Sequence, residues 1–244
     1  MVIGQLRSEL LKQRPTGTTL YLLAAMFGLV ALVITMNVLA VGVDDLSSSA
    51  RQLQDFEAGS KAGMLFAGLA GAIAITAELR YGTIRPTFLV TPRRGPVIGA
   101  KLAISALVGV VFGLLAEGLM AVVASVALAA RGIDNQLAGG DYLQLLAGGA
   151  AAAALWAAAG VGVGALVRNQ VGAIVGLCAW VFLVESTTES FVPVFGRFLP
   201  GGAGIALAGN SDALPAVVGA LLLVLYAAAA AAAGWRATLR RDIA

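Results

Sequence analysis

Five of the chain's sixteen cations, Arg80, Arg85, Arg93, Arg94 and Lys101, fall with Glu78 in the stretch AELRYGTIRPTFLVTPRRGPVIGAK between Ala77 and Lys101. Guanidinium and ammonium groups at that density make charge-assisted hydrogen bonds to carboxylates or phosphates. The chemistry they offer is therefore docking, to an acidic protein surface or to lipid headgroups, and not bond making. Plain inner-surface topology with anionic lipid is the alternative reading of the same cations, at about 1 kcal/mol each. Three other carboxylates stand out: Glu117, the one well inside an apolar span, and the i, i+4 pair Glu185 and Glu189 in the polar stretch that ends the fifth apolar run. A carboxylate inside a membrane costs a few kcal/mol to insert and often lines a pathway. For Glu117 the alternatives are a neutral, helix-bonded side chain or one snorkelling outward. For Glu185 and Glu189 an outer gate competes with a solvated loop face.

Absent residues exclude several functions. There is no His, so His-based proton relays, Ser-His-Asp triads and His-containing zinc sites are unavailable. The single cysteine, Cys178, can form no intrachain disulfide and reads as a small core residue. No G-x-x-x-x-G-K-[ST] segment occurs, so the chain binds no nucleotide in the P-loop manner. The expectation is a protein that is not an enzyme, with no catalytic residue, metal site or bound cofactor and no nucleic-acid partner.

The elements that must carry these residues are membrane spans. Apolar residues make up 59% of the chain, charged residues 12%, and mean hydropathy is +0.92, far outside the soluble range. With about 20 residues per crossing, 244 residues leave room for five to seven helices and short loops. A single membrane domain, residues 1–244, is expected. Residues 1–17 alternate Arg7, Lys12 and Arg14 with Val2, Ile3, Leu6, Leu10 and Leu11, the pattern of an amphipathic helix lying on the inner surface. The first span, about Thr18 to Val41, exceeds a cleavable signal peptide and is read as a retained anchor. Further spans are expected at about Ala62 to Ala77, Leu102 to Ala130, Leu143 to Val167 and Leu214 to Trp235, with a tight turn at Arg168 to Gln170. The run Val171 to Val184 reaches only about 21 Å at about 1.5 Å per residue, short of a crossing, and residues 185–202 read as a broken or re-entrant element after it.

With both termini inside, twelve of the sixteen cations are cytoplasmic, and Arg51, Lys61, Arg131 and Arg197 are outside, as the positive-inside rule favours. Arg236, Arg240 and Arg241 belong to the same inner-surface set. The pairs Gly109 and Gly113, Gly160 and Gly164, and Gly172 and Gly176 have the G-x-x-x-G spacing that lets helices approach closely in lipid.

The residues Glu78, Arg80, Gly82, Thr83 and Ile84, then Thr87, Phe88 and Leu89, then Thr91, Pro92, Arg93 and Arg94, and finally Lys101 resemble the E-x-R-x-G-T-I…T-P-x-R…K stretch of ABC-2 type transporter permeases. The six spans, inside termini, N-terminal amphipathic helix and broken fifth span are similar to that family's architecture as well. The resemblance implies an all-α permease pair, from two copies or a copy and a paralogue, bound to two copies of a separate cytoplasmic ABC ATPase that carries ATP and Mg. It implies that the loop after the second span is the coupling helix seated in each ATPase. Glu78, Arg80, Gly82, Thr83, Arg85, Pro92, Arg93, Arg94 and Lys101 would be the coupling residues: Thr83 capping the short helix, Gly82 freeing its entry turn, Pro92 stopping it, and Glu78 pairing locally with Arg80. The location implied is the bacterial inner membrane, with lipids as further partners and export as the direction.

Apolar spans without a charged central site suit a lipid-like or amphipathic drug substrate better than a small ion, which needs convergent oxygen ligands. Two other classes stay open. One is a non-transporting membrane immunity or scaffold protein. The other is an ion-coupled carrier, which calls for more intramembrane charge and an internal repeat.

Overall fold

The computed structural model describes residues 17–40, 48–82, 94–209 and 214–240. The expected interfacial helix at residues 1–17 lies almost wholly outside them. So does the expected coupling helix, with Thr83, Arg85, Pro92 and Arg93; Arg94 is described as helical backbone only.

Every described element is helical: α1 Gly17–Ala40, α2 Ser49–Arg80, α3 Arg94–Ala130, α4 Gly139–Val167, α5 Gln170–Ala179 continued by a wide π turn Trp180–Glu185, α6 Ser186–Phe191, α7 Pro193–Gly196, α8 Pro200–Ala208 and α9 Ala216–Arg240. Six stretches are long and apolar enough to cross a membrane: Gly17–Asn37, Arg51–Arg80, Val97–Ala130, Gly139–Val167, Gln170–Phe191 and Ala216–Thr238. The protein is thus a multi-pass helical membrane protein by architecture.

Two elements differ from the sequence expectation. α2 has 32 residues, where the apolar run alone predicts a span from about Ala62. Its polar first turns are helical because Ser48 caps them, accepting the Arg51 backbone N–H at 3.3 Å, and because Gln52 and Phe56 are buried instead of solvated. Gln52 donates to the Asp134 carbonyl at 3.0 Å and accepts from the Gln136 N–H at 2.9 Å, so it holds the α3–α4 connection to the end of α2. The ring of Phe56 meets Tyr142 of α4 edge-on, centroids 5.6 Å apart.

The second difference is the fifth span. Instead of breaking after Val184, the helix runs on through Glu185 to Phe191. Its 22 residues reach about 33 Å at about 1.5 Å each, enough to cross. The polar run continues the helix because its hydroxyls fold back onto carbonyls of the preceding turn: Ser186 Oγ to Val181 O at 3.2 Å, Thr188 Oγ1 to Val184 O at 2.7 Å and Ser190 Oγ to Ser186 O at 2.8 Å. Pro193 ends it, forcing Val192 out of helical geometry to φ −138°, ψ 69°.

α4 lies at the centre, packed against α2, α3, α8 and α9, with α1 laid across α2 and α3. Its start is held by Asp141, whose carboxylate accepts the Ala138 N–H at 2.8 Å, and its end by Arg168 in the left-handed region at φ 57°. Asn169 then caps α5 through the Gly172 N–H at 2.9 Å. Small residues let four neighbours reach α4. A methyl group on Gly160 would lie 2.0 Å from the Gly68 carbonyl oxygen of α2, and one on Gly109 would lie 2.5 Å from the Ala153 oxygen. Gly113 and Gly164 sit in the same two seams. Gly172 meets only Val167 at the very end of α4 and its own cap Asn169, and Gly176 has open space around it, so among the described residues that third G-x-x-x-G pair forms no helix seam of this kind. Large apolar side chains turned outward on α1, α3, α5 and α9, such as Tyr21, Val126, Val171 and Leu221, form the surface that hydrocarbon would cover.

Candidate functional site

Among the described residues, the candidate carboxylates Glu78, Glu117, Glu185 and Glu189 fall into three places along the bundle. At the α2 end next to the basic segment, Lys101 Nζ of α3 lies 3.0 Å from Glu78 Oε1 of α2. Both are buried, Lys101 with a side chain only 3% exposed. The expected local pair of Glu78 with Arg80 is not what forms. Successive positions around a helix point different ways, and Glu78 faces α3 while Arg80 sits over the Tyr81 ring, 5.7 Å from its centroid. α2 then ends at Tyr81 and Gly82, the latter at φ 68° with open space around its Cα. That left-handed turn is one glycine adopts without a Cβ clash.

Deeper in the bundle, Glu117 of α3 is 2% exposed. Its Oε1 accepts the hydroxyl of Ser60 on α2, so it neither snorkels nor bonds to its own helix. Gly59 and Gly149 make room for it: a methyl group on Gly59 would lie 2.9 Å from Glu117 Oε2, and one on Gly149 2.6 Å from Oε1. The carboxyl group is thus a packed contact joining α2, α3 and α4. Oε2 has no hydrogen-bond partner among the described residues. Ser60→Ala should therefore leave the whole group unpaired and lower stability by about 1–3 kcal/mol, the cost of an unmade buried hydrogen bond. Thermal unfolding in detergent measures it, and an unchanged midpoint would mean that the contact contributes nothing.

The third place is a cavity of about 210 Å³ between α1, α2, α4 and the fifth span. Its deep walls are apolar, formed by Val30, Val33, Met64, Leu65 and Trp156. Its rim is not. Lys61 Nζ of α2 bonds Glu189 Oε2 of α6 at 3.0 Å. With side chains 43% and 34% exposed, that pair contributes at most about 1 kcal/mol. Glu185 is only 5% exposed and its Oε1 accepts two donors, Trp180 Nε1–H at 2.8 Å and the Gly201 backbone N–H at 2.9 Å. Gly201 is the second residue of α8, so the carboxylate meets the positive end of that helix. Glu185 therefore ties the wide turn of the fifth span to α8 and is not a solvated loop residue.

The bundle brings Glu185 and Glu189 together with a partner that sequence spacing could not reveal, since Lys61 is 128 positions from Glu189. Ser60, Gly59 and Gly149 around Glu117 were also not legible as site residues. A small residue facing an intramembrane carboxylate leaves no pattern until the helices are paired. Glu117 is not among the cavity's lining residues. Among the described residues no group of three or more Cys, Asp or Glu side chains is placed to hold a metal ion. No family model matches the chain, and no curated protein matches it.

Proposed function

We propose that the protein is the membrane-spanning permease subunit of an ATP-driven exporter. It acts with a second permease copy or paralogue and with two copies of a separate cytoplasmic ABC ATPase that binds ATP and Mg. The segment from Glu78 to Lys101 is the coupling element, and its docking cations are Arg80, Arg85, Arg93 and Arg94. Both termini are cytoplasmic in a bacterial inner membrane, residues 1–17 lie along the inner surface, and α7 and α8 form a re-entrant element facing outward. The substrate is lipid-like or an amphipathic drug.

The observation that supports this best is the buried Glu78–Lys101 pair. It joins the two helices that flank the basic segment, so a force on that segment reaches α2 and α3 together. A lipid-binding loop needs no such brace, because a mobile tether holds a surface equally well.

The test is a mild-detergent purification of the tagged protein from its native host, with co-purifying chains identified by mass spectrometry and stoichiometry taken from intact mass. A P-loop ATPase at one copy per permease is expected. Its reproducible absence with the protein folded would overturn the reading in favour of an immunity or scaffold protein.

A further inference from the structure

The rim of the α1–α2–α4 cavity carries two carboxyl groups, Glu185 and Glu189, against one ammonium, Lys61. Trp156 and Phe182 add aromatic side chains to the lining of the same cavity. At about 210 Å³ the space is smaller than the roughly 300–1,000 Å³ of a site for a whole drug-sized molecule. It takes a compact group, with the remainder of a longer molecule left between the helices. The polar partners are already engaged: Glu185 Oε1 holds two N–H donors and Glu189 holds Lys61. A guest that needs directed hydrogen bonds would have to break these. A quaternary ammonium donates none, and asks only for nearby negative charge and ring faces. A second cavity, between α4, α5 and α9, is lined by Trp156, Trp180 and Tyr226 but by no carboxylate, so it offers a cation aromatic side chains without the negative charge.

We propose that the cavity between α1, α2, α4 and the fifth span binds the quaternary ammonium end of a small apolar cation, with Glu185 and Glu189 supplying the charge and Lys61 competing with the guest for Glu189. This deepens the transporter reading and rests on it only in making the bound cation cargo.

The experiment is isothermal titration of the purified full chain, in a maltoside detergent and without any ATPase, using benzyltrimethylammonium and, as the anionic counterpart, phenylmethanesulfonate. The cation is expected to bind and the sulfonate not. Glu185→Gln and Glu189→Gln each keep an acceptor for the existing donors, and should weaken cation binding about tenfold, the scale of one charge-assisted or desolvated cation–π contact. Lys61→Met releases Glu189 and should strengthen it by a similar factor, a gain that misfolding cannot mimic. Absent binding, equal binding of cation and sulfonate, or an affinity unmoved by all three substitutions would overturn the site. Binding without a co-purifying ATPase would leave the site standing and remove the transporter reading; an ATPase with no binding would do the reverse.

Discussion

Lys101→Met is expected to destabilise the protein, by at most about 3–5 kcal/mol, because it takes from the buried Glu78 carboxylate the ammonium now 3.0 Å away. The methionine fills much the same space, so the loss is electrostatic and not a cavity. Removing both charges together, as Glu78→Gln with Lys101→Met, should recover most of it. A buried pair is costly to break and often close to neutral to replace. Thermal or denaturant unfolding of the two single variants and the double variant measures the coupling. If the single losses simply add in the double variant, the two groups do not act on each other and the brace between α2 and α3 is lost as an idea. If the proposed function is correct, transport should fall further than stability in the single variants, since the flanking helices no longer move as one.

Gly160→Val should be nearly as damaging. A methyl group at that position would lie 2.0 Å from the Gly68 carbonyl oxygen. That atom belongs to the backbone of a helix already closed by its own hydrogen bonds, so the side chain can enter only by parting α2 from α4. Overpacking costs about 1–3 kcal/mol where neighbours can shift and more where they cannot, and the upper end applies here. Gly176→Ala is the matched control. Nothing lies within 4 Å of a methyl group there, and alanine is the better helix former by about 1 kcal/mol, so that variant should be neutral or slightly stabilised. Equal unfolding midpoints for Gly160→Val and the native chain would show that the α2–α4 seam is looser than its geometry.

The contrast between these glycines shows how much of the fold was legible. Gly160 and Gly176 have the same sequence signature, and only the assembled bundle distinguishes a seam from an outer face. Apolar runs located the spans because hydropathy reports what lies in lipid, but it could not report helix that is polar and packed on protein. Residues 49–61 are of that kind: Gln52 and Ser60 look like loop residues until Asp134, Gln136 and Glu117 supply their partners. The run Glu185 to Glu189 misled for a related reason. Hydroxyls and carboxyls suggest a break, yet Glu185, Ser186, Thr188 and Glu189 find a carbonyl, an indole or an ammonium nearby. Glu78 and Lys101 were both legible as members of one basic segment, but their mutual contact was not, since it depends on how two helices are rotated.

The wide turn at Trp180–Glu185 sets the azimuth of everything after it. A π turn spends one residue more than an α turn on the same advance, and each residue in a helix sweeps about 100°. The lower half of the fifth span is thereby wound about a quarter-turn out of phase with the upper half. Upstream, this face presents Val171 and Val175 to the outside; downstream, the rephasing swings Glu185 and Glu189 inward against Gly201 and Lys61. One helix thus carries two stripes of opposite character, an oily one and an ionic one, without a loop between them.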